Sequence, residues 1–333
     1  MHAGQDDDSS ALRTVLRSIG QTVLQCNALT GACVLAALAL CDLRLACAAL
    51  IGAVTAHVSA RLVHYEPSAI RDGLHGFNGV LCALAAASII DDTQVALAVA
   101  LLSAIAATCL ALPASRWLST RALAVYSSPC LVVTWGWLAL RASAHASTGP
   151  SGADIGHVYG QATWVRFPCD AWFGGSAVPL PGAFGDACAA LAQTVFASGA
   201  LPGLLIAIGI ALASRRAAVH ALLGAAASSA IAWLCGESLA PLHTGVAGFN
   251  GALAALALVD RGAVAASSAV VLSALVHQAA AHWGWPAMSA PFVASVWCVR
   301  TGAAGLINRY APPPPALRRS RAGDRRASPS RSS

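Results

Sequence analysis

The residues with the greatest chemical potential in this chain are carboxamides, hydroxyls and aromatic rings set in repeated positions. Gly76-Phe77-Asn78-Gly79 returns as Gly248-Phe249-Asn250-Gly251, 172 residues later. The same offset carries Gln21-Thr22-Val23 onto Gln193-Thr194-Val195, Leu81 onto Leu253, and Gly31, Gly52 and Gly73 onto Gly203, Gly224 and Gly245. A third shared element has a different offset, 162: Ser127 lies in Leu123–Pro129 and Ser289 in Trp285–Pro291, each followed eight residues on by Trp, at Trp135 and Trp297. Groups of this kind hydrogen-bond and pack; they do not make or break bonds. The sequence has no GxSxG element and no phosphate loop. His277 and His282 are five residues apart and do not share a helix face, and no His, Cys, Asp and Glu spacing matches a metal site. The expectation is no catalytic residue, no cofactor and no metal.

The elements that must hold these groups are apolar. Of 333 residues, 57% are hydrophobic and 10% charged, with a mean hydropathy of +0.66. A water-facing domain carries about 25% charged residues, so this chain is expected to sit in a membrane, surrounded by lipid. Apolar runs recur near 22–41, 45–63, 77–92, 94–112 and 123–140, and again near 191–213, 217–235, 249–259, 263–281 and 286–305. That makes ten runs in two groups of five. The run 249–259 is too short to cross about 30 Å of hydrocarbon, so it must be extended or be a broken helix. Glu237 and the Asp residues are expected in loops.

Charge sets the orientation. There is no Lys, and seven of the 20 Arg fall between Arg309 and Arg331, beyond the last apolar run. This tail, 309–333, reads as a disordered cytoplasmic segment rich in Arg, Pro and Ser, and no nucleic-acid partner is expected. With the N-terminus inside, Arg13, Arg17, Arg61, Arg71, Arg116, Arg121, Arg215, Arg216 and Arg261 all fall on the inner side, against Arg44 alone in the outer short loops. Both termini are therefore expected to be cytoplasmic. The remaining organisation is an acidic N-terminal segment at 1–14, a first membrane repeat at 15–140, an extracytoplasmic linker at 141–190 and a second membrane repeat at 191–308. Within or beside that linker, Cys169 and Cys188 are candidates for a disulfide. Residues 1–10 lack the basic start and apolar stretch of a signal peptide.

Five spans per unit is an odd number, so the second copy enters the membrane upside down relative to the first. The expected fold is an all-α integral membrane protein with two inverted-topology repeats of five transmembrane helices each, whose solute site lies near the midplane between them.

The paired GFNG motifs in register, the Gln-containing segment that opens each half and the LPxxTxPF-like element that closes it resemble the urea transporters. The resemblance covers roughly residues 15 to 305. It implies half-membrane re-entrant helices in addition to the ten spans, a homotrimer in a bacterial inner membrane, and a pore for urea through each protomer. Carried over, the family's slot of aromatics and leucines falls on Phe77, Leu81, Phe196, Phe249 and Leu253, and its polar ladder on Gln21, Gln193, Ser127 and Ser289. Leu24 and Thr194 complete the expected substrate-binding set. Leu24 stands where the family typically has Phe, Gln193 where a carboxylate is common, Ser127 and Ser289 where it has Thr, and Cys130 where the motif has Phe.

The substrate accounts for these residue types. Urea is flat and neutral, donating from two NH2 groups and accepting at one carbonyl, so it needs aligned acceptors inside a narrow apolar slot that excludes hydrated ions. Asn78 and Asn250 read as residues that satisfy backbone at a helix break, and Ser127 and Ser289 have a competing reading as hydroxyls bonded to their own helix. A related small amide or ammonia is the alternative solute. A membrane enzyme or a coupled carrier is the more distant one; a carrier usually keeps an acid within its spans. His75, two residues before Phe77, is the candidate for any acid-sensitive gating.

Overall fold

The computed structural model describes residues 3–147 and 182–310, the side chains of 3–10, 144–147 and 303–310 excepted. Cys169, the linker's interior and most of the 309–333 tail lie outside the described residues. Helices account for the regular structure, and among the described residues there is no strand. The first half runs α1 (Ala3–Gly20), α2 (Ala28–Cys41), α3 (Leu43–Leu62), the short α4 (Pro67–Arg71), α5 (Phe77–Ile89), α6 (Thr93–Ser119) and α7 (Ser128–Ser147). The second half repeats the order: α8 (Gly182–Gln193), α9 (Ala200–Ala213), α10 (Arg215–Leu234), the short α11 (Leu239–His243), α12 (Phe249–Ala257), α13 (Ala263–His282) and α14 (Ala290–Tyr310).

The expected spans at 45–63, 94–112, 217–235 and 263–281 are the single helices α3, α6, α10 and α13, each long and apolar enough to cross a membrane. Other runs are broken, and the reasons are local. The run 22–41 divides at a 3-10 turn, Gln21–Val23, followed by Leu24 in the left-handed region at φ 58°. Asn27 then restarts the chain as the N-cap of α2, its Oδ1 accepting from the N–H groups of Leu29 (2.8 Å) and Thr30 (3.4 Å). The two pieces, Ala11–Val23 and Ala28–Cys41, meet at 74°. The run 191–213 divides at the matching place, where Phe196 is left-handed at φ 61° between α8 and α9. Asp186 lies within α8 rather than in a loop, its Oδ1 2.9 Å from His243 Nδ1.

α5 and α12 are short. At 13 and 9 residues they reach about 20 and 14 Å, well under a bilayer's hydrocarbon thickness. The run 77–92, expected to span, is therefore not a single spanning helix, and neither is 249–259. Both short helices are enclosed: from Phe77 to Ala87, and from Phe249 to Leu256, every residue is buried.

Small residues bring the helices together. A Cβ added at Gly52 on α3 would lie 2.5 Å from the Gly79 carbonyl oxygen on α5, and one at Gly224 on α10 would lie 2.6 Å from that of Gly251 on α12. Backbone contact this close is the mode of packing available where lipid supplies no hydrophobic drive. Gly73 and Gly245 adopt φ 73° and 83° in the turns before the short helices, conformations that glycine accepts without strain. The two halves join through α2 and α9, where Thr30 Oγ1 donates to the Gly209 carbonyl at 2.7 Å.

Candidate functional site

The start of each short helix is tied to the last long helix of its own half by an asparagine. Asn78 Nδ2 donates to the Tyr126 carbonyl (3.2 Å) while its Oδ1 accepts the Cys130 N–H (3.2 Å). Asn250 does the same at Met288 (3.0 Å) and Phe292 (3.2 Å). Tyr126 and Met288 are both left-handed, at φ 47°, so the amides satisfy backbone where the chain turns into α7 and α14. A buried carbonyl left unpaired there would cost free energy comparable to a lost hydrogen bond.

Across the halves the contacts are reciprocal. Trp135 Nε1 donates to the Pro286 carbonyl (2.8 Å), and Trp297 Nε1 to the Ala124 carbonyl (2.9 Å). Residue and partner exchange under the 162-residue offset, the relation expected of two copies meeting through the same patch. Between these two clasps Ser127 Oγ and Ser289 Oγ stand 2.7 Å apart, hydrogen-bonded to each other. The two serines bond across the junction of the halves.

A cavity of about 40 Å3 opens at this junction. Since a single water needs about 10 to 15 Å3 by the same measure, it has room for roughly three, or one solute of a few heavy atoms. Its wall takes Leu24, Phe77, Leu81, Ser127, Gln193, Thr194, Phe196, Phe249, Leu253 and Ser289, ten of the eleven residues singled out in the sequence. Gln21 is not on it: its Nε2 reaches the Asp72 carbonyl at 3.5 Å, and its neighbour Thr22 lines the cavity instead. Cys130, Val246, Met288 and Phe292 also line it. Thr22 was legible as the partner of Thr194 under the 172 offset, and Met288 and Phe292 as neighbours of Ser289 in its motif. Val246 gave no signal.

Aromatic and aliphatic groups from both halves face one another. Phe196 packs against the buried cluster of Phe77, Leu81, Cys82, Ala107 and Cys130, and Leu24 packs against the one containing Phe249, Leu253, Met288 and Phe292. Each turn between the first two helices of one half therefore reaches the short helix of the other. Tyr126 meets Phe292 edge-on at 5.2 Å, and His277 stands edge-on to Phe249 at 6.1 Å.

The polar atoms on the wall are mostly acceptors. Thr22 Oγ1 donates to the Ile19 carbonyl and Thr194 Oγ1 to that of Leu191, both at 2.6 Å. A hydroxyl whose hydrogen is so committed has only lone pairs left to offer. The serine pair shares one hydrogen bond and keeps its remaining lone pairs. No charged side chain is among the described lining residues. The site can therefore hold a small neutral donor molecule between apolar faces, and the Cys130 thiol is the one reactive side chain among its described lining residues.

His75 stands apart from this wall. Its ring stacks on Tyr65 at 3.7 Å, and Tyr65 Oη donates to the Thr108 carbonyl at 2.6 Å. Burial lowers the His75 pKa from 6.5 to about 4.

Comparison with known proteins is consistent with this geometry. The family model described as urea transporter matches residues 12–304. No curated protein matches the chain.

Proposed function

The chain belongs to the urea transporter family, an integral membrane family of transporters and not of enzymes, and from that premise we propose that it conducts urea passively through the cavity between its two halves. The observation that carries this reading is the make-up of the wall: uncharged, apolar on its broad faces, with the Thr22 and Thr194 hydroxyls turned into acceptors by their own helices. Urea brings four N–H donors and one carbonyl. Acceptors replace the water it leaves behind, whereas a hydrated ion would lose far more than such a wall returns. Leu24, Phe77, Leu81, Phe196, Phe249 and Leu253 form the slot; Thr22, Ser127, Gln193, Thr194 and Ser289 form the polar ladder. The wall offers no acid to couple flux to protons or Na⁺.

In the membrane the two halves are inverted five-span repeats, at 15–140 and 191–308, a reading supported by their common element order and by the reciprocal tryptophan contacts. α5 and α12 are half-membrane helices, each one part of a broken span. The arginine distribution supports cytoplasmic termini flanking the repeats, with the acidic segment 1–14 and the tail 309–333 inside and the linker between α7 and α8 outside. The working unit is a lipid-embedded homotrimer in a bacterial inner membrane, with one pore per protomer.

Exchange of isotopically labelled urea at equal concentrations on both sides of proteoliposomes tests the assignment, with Phe249→Ala beside the wild type. Rapid exchange without net flow is expected, and Phe249→Ala should admit acetamide while the protein stays folded. Exchange no faster than through empty liposomes, or unchanged selectivity in the variant, would count against the pore or against the slot respectively.

A further inference from the structure

One part of the wall has no counterpart in the other half. Under the offsets of 172 and 162, Cys82 corresponds to Ala254 and Cys130 to Phe292, so a pair of thiols stands on one side only. Cys130 lies in the first turn of α7 and on the cavity wall. Cys82 lies on α5, directly after the wall residue Leu81, and is fully buried. The two side chains share one small apolar cluster with Phe77, Leu81 and Ala107. Thr134, one turn along α7, completes the group, its Oγ1 3.8 Å from Cys130 Sγ. Asn78 fixes Cys130 by accepting its N–H.

We propose that Cys82 and Cys130 form a two-thiol capture site, opening on the cavity, for neutral linear compounds of a soft metal, and that its occupation blocks the pore. Adjacent sulfurs suit a soft ion with two ligands. A free hydrated cation would pay heavily to enter an apolar, uncharged slot, but mercuric chloride is an uncharged linear molecule and enters as such. Each sulfur then forms a bond to mercury as one mercury–chlorine bond breaks, and each thiol proton leaves with the released chloride. Two thiols and HgCl2 give one S–Hg–S bridge and two HCl, with no change of oxidation state. The bridge is neutral, so the apolar cluster accepts it, and its bulk lies against Phe77 and Leu81.

The inference needs the cavity but not urea as its solute, and the test separates the two. Wild type, Cys82→Ser and Cys130→Ser in proteoliposomes are titrated with mercuric chloride. Urea flux is read relative to each variant's own untreated rate, and the mercury-bridged peptides are mapped by mass spectrometry. The proposal expects a peptide pair joined through Cys82 and Cys130, and flux restored by a small dithiol. Loss of either thiol removes the chelate, so the half-inhibiting concentration should rise on the order of a hundredfold. Cys82 is off the wall, so Cys82→Ser gives the reading even if Cys130→Ser does not fold. Wild-type sensitivity in Cys82→Ser, or mercury bridging other cysteines and not this pair, overturns the proposal. A bridged pair in a protein that passes no urea upholds it and removes the urea reading alone.

Discussion

At the scale of single residues, the serine pair carries the sharpest expectation. Ser127 and Ser289 bond each other at 2.7 Å, so removing one hydroxyl both deletes an acceptor and frees its partner. A net hydrogen bond is worth about 0.5 to 1.5 kcal/mol, or roughly a two- to twelvefold change in the local step. Ser127→Ala and Ser289→Ala should each slow urea by that factor, and the double variant should fall short of the product of the two because the lost bond is shared. Wild-type rates in all three would take both serines out of the pathway. His75 supplies the pH test. Folded His75 protonates near 4 and an unfolded histidine near 6.5, so folding weakens as pH falls through that window and is unaffected above it. Urea flux should be flat between about pH 5 and 8, unchanged by His75→Ala, and a steep acid dependence lost in that variant would restore His75 as a gate. The repeat register made nearly all of the wall legible. It misled at Gln21, whose amide reaches the Asp72 carbonyl; the position equivalent to Asp72 is Thr244, and Gln193 lines the cavity.

At the scale of elements, the close crossings of α3 with α5 and of α10 with α12 decide whether the short helices stay in place. Gly52→Ala and Gly224→Ala each set a methyl against a glycine carbonyl at 2.5 and 2.6 Å, and the helices must separate to admit it. Overpacking of this kind costs about 1 to 3 kcal/mol. Thermal unfolding in detergent should show a lower Tm for both variants, by similar amounts since the crossings match, and no shift in either would mean that the helices are not held by this contact. The existence of these elements was legible from hydropathy, but their breaks were not. An apolar run continues across Thr22 and Val23 without a proline or a glycine, and only the left-handed Leu24 and the Asn27 cap divide it. The 77–92 run likewise hid a helix that ends at Ile89, where Asp92 begins the next one by accepting the Val95 N–H at 2.8 Å.

At the scale of the whole molecule, the common element order and the reciprocal Trp135 and Trp297 contacts draw the two halves around one cavity with a neutral wall. Duplication was legible because both offsets hold without gaps over their motifs; the size of the cavity was not, since it depends on how deeply the short helices are enclosed. A neutral passage carries no charge with its solute, so a urea gradient should drive no current across the bilayer. The most direct measurement is stopped-flow light scattering of proteoliposomes facing inward gradients of urea, acetamide and glycerol. The account predicts re-swelling with urea well above the rate of empty liposomes, slower entry of acetamide and glycerol, and a urea rate indifferent to pH and membrane potential. Urea entry at the empty-liposome rate, or entry that follows an imposed proton or Na⁺ gradient, would contradict it.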